Sequence, residues 1–199
     1  MRSIDSIAAV IDAYEAYLIL ERGLSDNTRE AYVRDVGKLV RYLETEKVTL
    51  RDVTTDTLRA FAADLFDLGI SPRTQARIVS GIKSFFRFLK LEGYLDINPS
   101  LLLESPALSR HLPEVLRVDE IDAMIGAIDM EKAEGQRNRA IMETLYGCGL
   151  RVSELINLEI SKLYFDEQFI MVHGKGDKER IVPISPQAIR EIKDYLPDR

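Results

Sequence analysis

The sequence predicts a mainly α-helical protein in two parts: a four-helix domain, then an α+β domain with a small antiparallel sheet. Three observations predict this. Apolar residues recur at helical spacing in four segments before residue 92, and Gly23, Gly69 and Gly93 close three of them. Pro99, Pro106 and Pro113 mark residues 94–113 as an extended linker. Period-two alternation on both sides of a G-K-G-D-K turn reads as a β-hairpin. The expected domains are therefore residues 1–93 and 114–199.

The first helix is read over residues 5–21, with Ile7, Val10, Ile11, Tyr14, Tyr17 and Leu18 as its apolar side. Ser25 is the expected N-cap of a second helix running from Asp26 to about Thr45. Tyr32, Val36, Leu39, Val40 and Leu43 should face inward, while Arg34, Lys38 and Arg41 share another face. Thr54 should cap a third helix over Thr55–Leu68, burying Leu58, Phe61, Leu65 and Phe66. Ser71 and Pro72, an N-cap and an N1 proline, should open the fourth. Its apolar stripe is Ile78, Ile82, Phe85, Phe86 and Leu89.

The other side of the fourth helix carries Arg73, Arg77, Ser80, Ser84 and Arg87, with Lys83 and Lys90 flanking. Five basic residues and no acid fall between Ser71 and Leu91. This concentration stands out because the whole chain carries a net charge of −6. Any DNA contact must come from such local basic faces rather than from overall charge. Arginines on this face suit phosphates and guanines, and the serines permit close approach to a major groove.

In the second part, Asp119 and Glu120 favour the first turn of a helix ending near Ile128. Another helix is expected over Gln136–Tyr146, with Ile141, Met142 and Leu145 inward. Gly147 and Gly149 then suit a turn needing positive φ. Val152, Leu155, Ile156 and Leu158 follow at near-helical spacing. In the hairpin, Phe169, Met171 and His173 share one strand face and Ile170 and Val172 the other. Residues Pro186 to Leu196 form the last predicted helix.

Composition excludes several classes. The 199 residues contain no apolar run of about 18, so no membrane span is expected. A single cysteine, Cys148, excludes an internal disulfide framework and fits the cytoplasm. That cysteine and two distant histidines, His111 and His173, give no metal-ligand spacing, and no cofactor is expected. G-K-G-D-K leads into a strand, whereas a nucleotide-cradling P-loop leads into a helix.

The segments G-L-R-V-S-E-L and G-K-G-D-K-E-R-I-V-P together resemble the first half of the catalytic domain of tyrosine recombinases, the phage integrase family. The likeness is to the Xer branch, which resolves chromosome dimers. L-S-D-N-T-R-E-A-Y-V-R-D-V is similar to the opening of that family's N-terminal DNA-clamping domain, and N-P-S-L-L-L-E-S-P to its linker. Arg117-Val118 stands where Xer sequences have a serine or threonine cap.

The resemblance implies a core-binding, SAM-like domain followed by the N-terminal part of a catalytic domain. It implies that Arg151 binds the scissile phosphate, that Glu154 braces it and that Lys175 protonates the leaving oxygen. An arginine fork stays charged and matches two phosphate oxygens, and a mobile ammonium suits a poor alkoxide leaving group. Arg34, Lys38, Arg41, Arg73, Arg77, Ser80, Lys83, Ser84 and Arg87 become the expected DNA contacts. The implied partners are a duplex recombination site, further recombinase protomers assembling as a tetramer, and a DNA translocase. The family's H-x-L-R-H motif and its nucleophilic tyrosine have no match in residues 1–199, and Tyr195 has no such motif before it. The expectation is a chain that binds DNA without cutting it alone. The alternative is a non-catalytic relative that occupies recombination sites as a regulator.

Overall fold

The computed structural model describes residues 6–108, 112–174 and 178–199. The chain divides into two compact units, Met1–His111 and Leu112–Arg199.

The first unit contains α1 (Ile7–Leu20), α2 (Asp26–Glu46), α3 (Thr55–Asp67) and α4 (Pro72–Leu91). Their starts follow local chemistry. The Ser6, Thr54 and Ser71 side chains accept the N–H of Ala9, Thr57 and Thr74, filling donors that a helix cannot satisfy itself. Ser25 precedes α2, but its hydroxyl meets the Thr28 hydroxyl at 3.0 Å rather than a backbone N–H. Lys47 ends α2 in the left-handed region, at φ 55°.

α4 is the central element, burying Ile78, Val79, Ile82, Phe85, Phe86, Phe88 and Leu89. Phe85 meets the Tyr14 ring edge-on with centroids 5.1 Å apart, and Phe88 lies 5.5 Å from the same ring. Val36, Leu39, Val40 and Leu43 of α2 and Leu58, Phe61 and Leu65 of α3 complete the core. Phe66 corrects the sequence reading: it is 69% exposed. Leu58, Phe61 and Leu65 already hold the inward stripe, and Phe66 follows Leu65 by one residue, about 100° further round the helix.

The stretch read as a linker is partly structural. Tyr94, Leu95 and Leu103 are buried in the first core. Asn98 Oδ1 accepts both the N–H and the hydroxyl of Ser100, and the Thr55 hydroxyl donates to the Pro99 carbonyl at 2.8 Å. These contacts make residues 94–103 a packed strap on the first unit. His111 lies outside the described residues.

The second unit contains α5 (Val118–Gly126), α6 (Gly135–Cys148), α7 (Val152–Ile156), a sheet and α8 (Pro186–Tyr195). α5 lacks a hydroxyl cap; Glu120 instead reaches back and accepts the Arg117 N–H at 2.8 Å. α6 buries Ala140, Thr144 and Cys148, whereas Ile141, Met142 and Leu145, expected inward, are half-buried. The small residues face in because α8 packs closely there. Glu191 of α8 fixes that contact by accepting from Gln136 and pairing with Arg139 at 3.1 Å. Gly147 remains helical, and Gly149 alone makes the left-handed turn, at φ 58°.

The sheet has order β1-β2-β3, all antiparallel, with β1 Leu163–Tyr164, β2 Phe169–Gly174 and β3 Lys178–Pro183. β1 is too short to carry a pattern, and the sequence reading missed it. Its Tyr164 stacks on Phe169 across the strand pair, with centroids 4.6 Å apart. Ile170 and Val172 point into the second core with Ile184, Ala188 and Ile189.

Phe85→Ala should remove one of the two rings of α4 that pack on Tyr14 of α1. Loss of about 3–5 kcal/mol from the first unit is expected, measured by denaturant unfolding.

Candidate active site and nucleic-acid interface

Glu154 is the best-held polar group of the second unit. It sits three residues into α7, and Arg151 occupies the N-cap with extended backbone. The Arg151 N–H donates to Glu154 Oε2 at 2.8 Å, so the glutamate caps its own helix. Arg151 Nη1 donates to Oε1 at 2.8 Å. From β3, Arg180 completes the set with a two-pronged contact: Nη1 to Oε1 at 2.6 Å and Nη2 to Oε2 at 2.8 Å.

Exposure separates the roles. The Glu154 side chain is 3% exposed and that of Arg151 68%. The carboxylate is inside, and the Arg151 guanidinium projects from it into open space. Hydrogen bonds from Arg180, then from the Arg151 backbone, hold the Glu154 carboxyl far below the usual carboxylate range. The Arg180 guanidinium is raised by the same contact. A permanently charged fork held at one edge and open at the other is suited to binding an oxyanion.

Arg180 was missed by the sequence reading, although a signal exists. Its register partner in β2 is Val172, which is buried, and Val182 opposite Ile170 shares that phase. Arg180 therefore occupies a core-facing position, where an arginine requires a buried acid.

On the other sheet face, Glu179 receives Lys162 Nζ at 2.9 Å and lies 3.0 Å from His173 Nε2. Lys162 lowers the Glu179 carboxyl and is itself raised. β2 and β3 pair as far as Gly174 with Lys178. Lys175, read as the proton donor, lies outside the described residues. Cys148 is buried, and burial pushes its thiol up, which suits a packing role.

The expected DNA contacts of the first unit divide by environment. Arg73 and Arg87 of α4 and Arg34 and Arg41 of α2 are exposed. Ser80 is exposed, with its hydroxyl turned back to the Ala76 carbonyl at 2.9 Å. Ser84 is half-buried and bonds the buried Tyr14, whose hydroxyl is pushed up by burial. Lys83 is half-buried in a groove beside Arg59 and Leu101–Ser105. Lys38 is half-buried at the edge of another groove, near Tyr42 and Phe61.

Arg77 differs most from its expected place. It forms an ion pair with Asp35, a fully buried carboxylate of α2, and ties α4 to α2. Burial raises the Asp35 carboxyl, and Arg77 opposes the rise. Asp35 Oδ1 has no hydrogen-bond partner among the described residues, so the pair with Arg77 carries the compensation. Arg34 and Lys38 also bear on this charge, more weakly.

Residues 11–93 match the family model "Phage integrase, N-terminal SAM-like domain", and residues 114–199 match "Phage integrase family". The chain is 39% identical over 189 residues to the tyrosine recombinase XerD of Pseudomonas putida, covering 95% of this chain and 63% of that one. It is 37% identical over 188 residues to XerD of Staphylococcus epidermidis, covering 94% and 64%. The chain thus spans under two thirds of the length of these curated relatives. Among solved structures, a lambda integrase dimer bound to a COC' core site superposes with a TM-score of 0.73 at 21% identity, covering 94% of this chain and 68% of that one. The XerH recombinase bound to palindromic difH substrate gives 0.71 at 20%, covering 95% and 58%. At these identities the structures establish the fold. No helix among the described residues is long and apolar enough to cross a membrane.

Two expectations follow. The depressed Glu154 carboxyl contributes stability that is fully present above its ordinary value of 4.5 and declines as pH falls through the folded value. Acid titration of the second unit should show this decline below pH 4.5, and Glu154→Gln should lack it. Arg77→Ala should strand Asp35 and cost the first unit about 2–3 kcal/mol in denaturant unfolding, before any effect on DNA is considered.

Proposed function

The chain belongs to the phage integrase family of tyrosine recombinases, and on that premise we propose that residues 1–199 bind a duplex recombination site and place Arg151 against the phosphodiester to be broken. One observation carries the reading: the exposed Arg151 fork is held by a buried carboxylate that is itself fully bonded. An arginine serving only as a surface partner has no need of such a support. Negative charge develops on the non-bridging oxygens during phosphoryl transfer, and a pre-positioned guanidinium stabilises it without reorganising.

The division of labour follows from the two units. Arg34, Arg41, Arg73 and Arg87 are the contacts of the first unit, directed to phosphates and to the major groove. Lys38, Lys83, Ser80 and Ser84 line the same helices as secondary contacts. Arg77 acts indirectly, by holding α4 against α2. In the second unit, Lys175 supplies the proton to the leaving oxygen. In this family a tyrosine attacks the phosphate and conserves the bond energy as a 3′-phosphotyrosyl link, which makes the step reversible without metal or high-energy cofactor. We assign no tyrosine of residues 1–199 to that attack. The reaction served is site-specific recombination in the cytoplasm, for chromosome-dimer resolution or integration. Its partners are recombinase protomers on DNA and a DNA translocase.

Fluorescence anisotropy with a labelled duplex at several salt concentrations tests the binding. Replacing Arg73 and Arg87 with alanine should reduce the slope of log K against log salt by about one unit per lost phosphate contact. An unchanged slope removes α4 from the interface. Incubation with a nicked substrate, followed by denaturing electrophoresis, should give no covalent protein–DNA band with residues 1–199. A band would assign the nucleophile to one of the tyrosines present.

A further inference from the structure

We propose that Arg180 is a positioning residue for Arg151, acting through Glu154; this rests on Arg151 being the phosphate-binding arginine. Three observations support it. First, Arg180 occupies both oxygens of Glu154, at 2.6 and 2.8 Å, whereas the Arg151 side chain reaches only Oε1. The orientation of the carboxylate is therefore set from β3, and Arg151 takes its direction from it. Second, Glu154 is buried, so with Arg180 removed its charge would be shared only with Arg151. The carboxylate would then turn to form a two-pronged pair with Arg151 and draw the guanidinium inward, away from an incoming phosphate.

Third, the backbone is shaped to admit this contact. A Cβ at Gly174 would lie 3.3 Å from Arg180 Nη1 and 3.8 Å from Glu154 Oε1. A side chain at 174 would press on the guanidinium and, equally, on the Lys178 carbonyl at 3.3 Å. The last residue of β2, the fork from β3 and the cap of α7 thus form one unit. It links β3 to the helix start that carries Arg151.

The test combines a mutant cycle on DNA with a direct view of Arg151. With a fluorescein-labelled duplex at low salt, Arg151→Ala and Arg180→Gln should each weaken binding by a similar factor, about fivefold to tenfold. The double variant should be no weaker than Arg151→Ala alone. Arg180→Lys, which keeps the charge and loses the fork, should fall between Arg180→Gln and the parent. Additive losses would mean that Arg180 touches DNA itself and would overturn the proposal. So would full binding by Arg180→Gln where Arg151→Ala binds poorly.

Without DNA, nitrogen NMR of the Arg151 guanidinium should show faster rotation in the parent, where one side-chain bond holds it, and slower rotation in Arg180→Gln, where a two-pronged pair with Glu154 would hold it. Unchanged rotation would overturn the positioning role. Should Arg151→Ala leave binding intact, the reading of Arg151 as the phosphate ligand fails, and this NMR comparison still decides whether Arg180 orients it. Thermal melts check that each variant folds. If Arg180→Gln does not, Arg180→Lys takes its place in both arms, with the same direction of effect and a smaller size, because it keeps the charge and loses the two-pronged contact.

Discussion

The second unit turns on one buried carboxylate. Glu154 accepts four hydrogen bonds, two from Arg151 and two from Arg180, and so joins a five-residue helix to a strand 26 residues further on. α7 is too short to be stable by helix formation alone. It persists because its start is capped by Glu154 and its Leu155 packs on the second core. A charge removed from water is tolerated only with complete partners, and here both arginines are needed to complete it. The exposed fork of Arg151 is thus a consequence of how the unit solves the problem of a buried acid.

The first unit contains the same kind of problem with a different result. Asp35 is buried against Arg77, and one of its oxygens has no partner among the described residues. The pairing draws Arg77 back along α4 towards α2, leaving Arg73 and Arg87 outward on the same helix. A basic stripe that looks uniform in sequence is therefore divided between structural and available cations.

The overall charge of −6 does not set the behaviour of either face. What matters is which cations remain available once the buried acids have taken theirs. Glu191, accepting from Gln136 and paired with Arg139, consumes another arginine for the packing of α8 on α6. Counting charges along the chain overstates the number directed outward, since each buried carboxylate withdraws at least one.

Much of this was legible in the sequence, for local reasons. Helices with a strong apolar stripe and a hydroxyl cap, such as α3 and α4, follow from side-chain period and from the orphan N–H groups at their starts. The hairpin follows from alternation, and the spacing of Arg151 and Glu154 brings them onto one helix end. Tertiary structure decided what depends on residues far apart. It exposed Phe66, folded residues 94–103 onto the first core, and committed Arg77 to Asp35 across 42 residues. It also brought Arg180 to Glu154, because strand pairing fixes which face an arginine occupies but only the packing of β3 beside α7 supplies the acid it meets. Periodicity records whether a side chain points inward; the partner it finds there is set by which element lies opposite.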